Sequence, residues 1–87
     1  MITVRIPWSL QVHTGGRDVV EGEGRNVRQL ILDLDARYPG IKAGLLDGEK
    51  LKPSVKVVVD GQIALLGLLA PLAEGMEIVF VPAISGG

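Results

Sequence analysis

The sequence closes on Gly86-Gly87, and the group with the most to offer chemically is the backbone carboxylate of Gly87. Glycine has no Cβ and reaches backbone conformations closed to other residues. Two in succession make the thinnest end a chain can present, able to thread a narrow channel and leave its carboxyl carbon open to attack. A frayed, inert end is the ordinary alternative. Context argues against it here: a strand-like run, Met76 to Pro82, leads almost directly into the tail, with only Ala83-Ile84-Ser85 between. Pro82 is expected to stop strand pairing where the arm leaves.

No other residues compete for a chemical role. The chain has no cysteine, which removes thiolate nucleophiles, disulfides and zinc-thiolate sites together. His13 is the single histidine, has no carboxylate beside it and reads as a surface turn residue. Gly22-Glu23-Gly24 lacks the spacing and lysine of a phosphate-binding loop. Arg25, Arg28, Lys50 and Lys52 read as solvated charges, so ATP is expected to bind a partner rather than this chain.

Composition limits the kind of molecule that carries this end. Eighty-seven residues with no linker-like stretch predict one domain, residues 1–82, followed by a flexible tail, residues 83–87. The chain is 47% hydrophobic with one Trp, one Tyr and one Phe, which points to a compact aliphatic core rather than disorder. Nine basic and ten acidic residues leave a net charge of -1, so no nucleic-acid or anionic-membrane partner is expected. The start, Met1 to Arg5, lacks the organisation of a signal peptide, and a cytoplasmic location is expected. Ile63 to Ala73 is apolar but falls short of the roughly 20 residues that span a bilayer, with Gly67 and Pro71 inside it. It reads as core or contact surface.

These groups need elements to hold them. Ile2, Val4 and Ile6 alternate with Thr3 and Arg5 as in a strand, which Pro7 ends or places at an edge. His13-Thr14-Gly15-Gly16 reads as a tight turn, returning Arg17 to Glu21 as a second strand. Asn26 with Gln29 three residues on reads as a capping box, and Val27, Leu30, Ile31 and Leu34 recur with helical period. Tyr38-Pro39-Gly40 ends that helix. Ile41 to Leu46 reads as one further short turn and Asp47 to Lys50 as a loop. Val55 to Val59 is a β-branched strand closed by Asp60-Gly61. In the last strand Met76, Ile78 and Phe80 share one face, and Glu77, Val79 and Val81 the other. The order β-β-α-β-β predicts an α+β fold, one main helix on a mixed sheet of four to five strands. With the first and last strands side by side in the middle, this is a β-grasp, or ubiquitin-like, roll.

Ile6-Pro7-Trp8-Ser9-Leu10 with Thr14-Gly15-Gly16, then Ala36-Arg37-Tyr38-Pro39-Gly40, Glu74-Gly75-Met76-Glu77-Ile78 and Val81-Pro82-Ala83-Ile84-Ser85-Gly86-Gly87 together resemble the ubiquitin-like sulfur-carrier family. That family includes the small subunit of molybdopterin synthase, the thiamin sulfur carrier and the carrier of a cysteine pathway. The resemblance spans nearly the whole chain. It implies that Gly87 is adenylated by an E1-like activating enzyme using ATP and magnesium, and that a sulfur donor then displaces AMP to leave a thiocarboxylate. The chain would thus be a carrier without catalytic residues or bound cofactor, serving a sulfur-accepting synthase subunit. Gly86, Ser85 and Ile84 would form the arm, and Val81-Pro82-Ala83 fits cysteine-pathway carriers slightly better than the Pro-Pro pair frequent in molybdopterin-synthase small subunits.

Pro82 and Ile84 are the candidate partner anchors. Phe80 is either a third or ordinary core, core being the preferred reading. Leu65, within Leu65-Leu66-Gly67-Leu68-Leu69, belongs to core or to an exposed patch for a partner or a homodimer. Relatives commonly carry charges in this segment and this chain has none. Trp8 reads either as a recognition aromatic or as a ring packed over the end of the core. Two other functional classes share the scaffold: a protein modifier joined to lysine through Gly87, and a β-grasp binding domain with an inert tail.

Overall fold

The computed structural model describes residues 1–82. The chain runs through strand β1 (Ile2–Arg5), a 3-10 helix (Trp8–Thr14), β2 (Val19–Gly22), helix α1 (Val27–Arg37), a one-turn helix α2 (Ile41–Leu45), β3 (Leu46–Asp47), β4 (Lys50–Leu51), β5 (Val55–Val59), β6 (Gln62–Ile63), a 3-10 turn (Gly67–Leu69) and β7 (Glu77–Pro82). Five strands form one mixed sheet in the order β2-β1-β7-β5-β6, and β3 pairs with β4 separately. β1 and β7 are parallel neighbours in the middle, while every other pairing is antiparallel. This is the β-grasp arrangement that the order of elements predicts.

Strand alternation sends Ile2, Val4 and Ile6, Val20, Val57, and Ile78 and Phe80 to one face of the sheet, where all are buried. α1 lays Val27, Leu30, Ile31 and Leu34 on that face, each fully buried, and α2 adds Ile41 and Leu45. The start of α1 is fixed by side chains from both directions. The Gln29 N–H donates to Asn26 Oδ1 at 2.8 Å, and Gln29 Oε1 accepts from the Arg25 N–H at 2.9 Å. This reciprocal cap satisfies one of the helix's orphan donors and pins the chain entering it. Gly24 comes so close to the helix that a Cβ there would sit 2.5 Å from the Leu30 nitrogen. At the other end, Asp35 Oδ1 accepts from the N–H groups of Gly40 and Lys42, both at 3.1 Å, and holds α2 against α1.

Four segments depart from the sequence reading. Residues 8–16 are not a tight hairpin: Trp8–Thr14 coil into a 3-10 helix, and Gly15 and Gly16, at φ 66° and 87°, end it. Thr14 is buried there, its hydroxyl 2.7 Å from the Arg17 carbonyl oxygen that accepts it. His13 belongs to this helix and lies against Gly40, whose φ of 105° and lack of Cβ make room for the ring. The expected loop at 47–50 is a two-rung hairpin, Leu46↔Leu51 and Asp47↔Lys50, turning at Gly48 with φ 66°. The apolar stretch opens as a strand: Asp60 and Gly61, at φ 47° and 84°, turn β5 back into β6. The second strand is displaced by two residues from the Arg17 start expected for it.

Gly24→Ala is expected to destabilise the domain by ~1–3 kcal/mol, since the clash is with backbone that cannot rotate away. Asn26→Ala is expected to cost about 1 kcal/mol through loss of the cap. Urea unfolding monitored by circular dichroism measures both.

Candidate functional site

The site is the point where β7 hands the chain to its tail. β7 is held on both sides: Thr3, Val4 and Arg5 pair with Glu77, Ile78 and Val79, while Val55 to Val59 pair with Pro82 back to Ile78. The register reaches Pro82, opposite Val55, and Pro82 has no N–H with which to extend a ladder. Inside the molecule Ile78 is fully buried and Phe80 is 2% exposed. Phe80 therefore anchors the strand in the core, and its reading as a partner-binding surface residue is corrected. The remaining tail candidates, Ile84, Ser85, Gly86 and Gly87, lie outside the described residues.

The outer face of the sheet leads to this exit. Val79 and Val81 on β7, Val58 on β5 and Ile63 on β6 alternate away from the core, and the register sets Val58 beside both Val79 and Ile63. Basic side chains flank this apolar strip: Arg5 is registered with Val79 and Lys56 with Val81. Arg5 Nε also donates to Glu77 Oε2 at 3.3 Å, an exposed pair that orients the guanidinium more than it stabilises the fold. Leu65 is 94% exposed. It borders a shallow groove of about 360 Å³ shared with Leu51, Pro53, Val55 and Lys56. Leu66 and Leu69 are exposed beside it, while Leu68 packs on the core.

One surface has two readings open in the sequence, with Trp8 as a recognition aromatic or as a ring over the core, and nothing there singles out Val12. Because β1 and β7 run parallel, Pro7 and Trp8 leave the sheet at the same end as Pro82. Trp8 is 86% exposed and Val12, four residues on, 79%. The reading of Trp8 as a ring packed over the core is thus overturned. The available signal was Pro7, which ends β1 and starts a new element whose buried members are Leu10 and Thr14, leaving Trp8 and Val12 outside.

At the far end of the sheet the Met1 amino group pairs with the Glu74 carboxylate, which raises the amine above its ordinary pKa. Among the described residues no group of histidine and carboxylates is placed to hold a metal ion, and no helix is long and apolar enough to cross a membrane. What the geometry offers is a closed core, an apolar strip with basic flanks, and a last strand whose final rung is at Pro82.

Residues 4–87 match the ThiS family. The chain belongs to this family of ubiquitin-like sulfur carriers. Among curated relatives, the sulfur carrier protein CysO of Mycobacterium tuberculosis is 35% identical over 91 residues, covering 99% of this chain and 98% of that protein. A chain of the Amycolatopsis orientalis BexX/CysO complex superposes with a TM-score of 0.93 at 38% identity, covering 100% of each chain. The small archaeal modifier protein 1 of Methanosarcina acetivorans gives a TM-score of 0.80 at 25% identity, covering 99% of this chain and 95% of that one.

In this ThiS-family member Phe80→Ala is expected to cost about 3–5 kcal/mol, as a buried aromatic does. Trp8→Ala is expected to stay within about 0.5 kcal/mol of the parent. Chemical denaturation distinguishes the core residue from the surface one.

Proposed function

We propose that this chain carries sulfur as a thiocarboxylate on Gly87, loaded by an E1-like adenylating enzyme. The observation that carries this reading is a central strand held to its final rung at Pro82, followed by Ala83-Ile84-Ser85-Gly86-Gly87, in a chain matched over its full length by CysO carriers. The Gly87 carboxylate attacks the α-phosphorus of ATP in the partner's magnesium site, and pyrophosphate leaves. A sulfide-level donor, hydrosulfide in the simplest case, then forms a C–S bond at the acyl carbon, the C–O bond to AMP breaks, AMP leaves, the sulfur's proton passes to solvent, and the thiocarboxylate remains. Adenylation is needed because a delocalised carboxylate resists nucleophiles and offers no leaving group. At ~3.3–3.6 Å per residue the five-residue arm reaches on the order of 17 Å into a partner.

Ordering that arm costs roughly 1–2 kcal/mol per residue, so the folded body has to contribute docking contacts. The strip of Val58, Val79 and Val81, with Arg5 and Lys56 at its borders, supplies apolar area and a steering charge beside the exit. The likeness to CysO favours a synthase that builds cysteine as sulfur acceptor over the molybdopterin and thiamin routes. A second reading is favoured by the likeness to the archaeal modifier protein. In it the same activated Gly87 is captured by a lysine amine, since only the second nucleophile differs.

Incubation with the cognate activating enzyme, ATP, magnesium and a sulfur donor is expected to exchange one terminal oxygen for sulfur, read by intact-protein mass spectrometry. An unchanged mass with an enzyme that releases pyrophosphate on this chain would overturn the carrier reading, and lysine adducts of Gly87 in cell extracts would favour the modifier. Deleting Gly86 and Gly87 is expected to abolish the exchange while changing stability by less than about 0.5 kcal/mol. The double variant R5Q/K56Q, which removes the charges without setting a carboxylate against Glu77, is expected to lower kcat/KM for adenylation about 10-fold with little change in melting temperature, the signature of a docking charge.

A further inference from the structure

The two edges of the five-stranded sheet are built differently. The β2 edge carries Glu21, with Asp18 and Glu23 on either side, so a second strand approaching in the same register meets like charge. The β6 edge has no such guard: from Gly61 to Ala73 there is no charged residue. Val58 faces Ile63, Val59 faces Gln62, and the Ala64 N–H donates to the Val57 carbonyl at 2.9 Å. In an antiparallel ladder that alternation turns Gln62 and Ala64 toward β5 and leaves the Ile63 N–H and C=O pointing away from the sheet.

Apolar side chains surround that open rung. Ile63 is 64% exposed, Leu65 94%, Leu66 64% and Leu69 72%. Together they present on the order of 500 Å² of apolar surface, at the upper end of what a monomer leaves bare. Complete burial of the patch on both copies would remove at most about 1,000 Å² in total, the size of a weak, reversible interface.

We infer that β6 and the adjoining leucines bind a second copy of this chain. The two Ile63 residues meet across a two-fold axis, exchange their two N–H···O=C bonds, and join the two sheets edge to edge. A two-residue strand suits such a contact, because an isologous antiparallel pair needs one residue on the axis and apolar neighbours beside it. A net charge of -1 per copy adds little repulsion. The inference is tested apart from the sulfur-carrier reading, because dimerisation is read without an activating enzyme, although Ile63 and Leu65 border the groove that reaches Val55, the partner of Pro82.

Sedimentation velocity over a range of about 1 to 500 µM is expected to show reversible dimerisation with a Kd in the tens to hundreds of µM. Amide NMR shifts are expected to move with concentration at Gln62 to Leu69 and to stay fixed in β2. The variant L65E/L66E, with folding checked by circular dichroism, is expected to weaken the dimer at least 10-fold, whereas Val19→Lys on the other edge leaves it unchanged. A monomer at every concentration overturns the inference, as does a dimer broken by Val19→Lys but not by L65E/L66E. It is also overturned if the chain stays monomeric while L65E/L66E weakens binding to the activating enzyme, which would give the surface to that partner.

Discussion

Everything in this molecule depends on the placement of its last strand between the first strand and β5. Ile78 and Phe80 are driven into the core between the sheet and α1, and their burial fixes which face of β7 looks outward. Neither half of the sheet is complete without β7, so the core closes only when the C-terminal segment has docked. The same contacts that stabilise the domain therefore aim the arm. Residues of the core and of β5 determine where the chain leaves the sheet, because the final rung at Pro82 is set by the register of Val55 to Val59.

The solvent side divides by position. The outer face of the sheet runs toward the exit with a valine strip between Arg5 and Lys56, and Trp8 and Val12 stand at the same end. The β6 edge borders that route through the groove it shares with Val55 and Lys56, and its open Ile63 rung and leucines form the apolar margin of the sheet. The covered side of the sheet, in contrast, has no spare area: four residues of α1 are wholly buried there.

Much of this was legible in the residues because local and long-range preferences agree. Helix α1 combines a side-chain cap with a strict apolar period, β5 is almost entirely valine, and β7 alternates cleanly between the core and the outside. The family was legible for the same reason, through turns and tail at fixed distances from these elements. Trp8 to Thr14 was not, because a 3-10 helix has no two-residue or 3.6-residue period to detect, and the paired glycines that end it look the same as those of a hairpin. The hairpin of β3 with β4 and the strand β6 have only two residues each, too few for alternation to show. Leu65, Leu66 and Leu69 could not be told from Leu68 by composition, since burial there is decided by the turn at Gly67, which has a φ of 55°. Of the tail, only its point of departure belongs to the described structure.

The parallel pairing of β1 with β7 has a mechanical consequence. The start of β1 and the end of β7 lie at opposite ends of the sheet, so a pull between Met1 and Pro82 runs along the strands. Tension in that direction loads the rungs at Thr3, Val4 and Arg5 together, in shear, instead of peeling them open one after another. Force applied between those two ends is thus shared by three rungs at once, and the sheet resists it better than it would resist peeling from one edge.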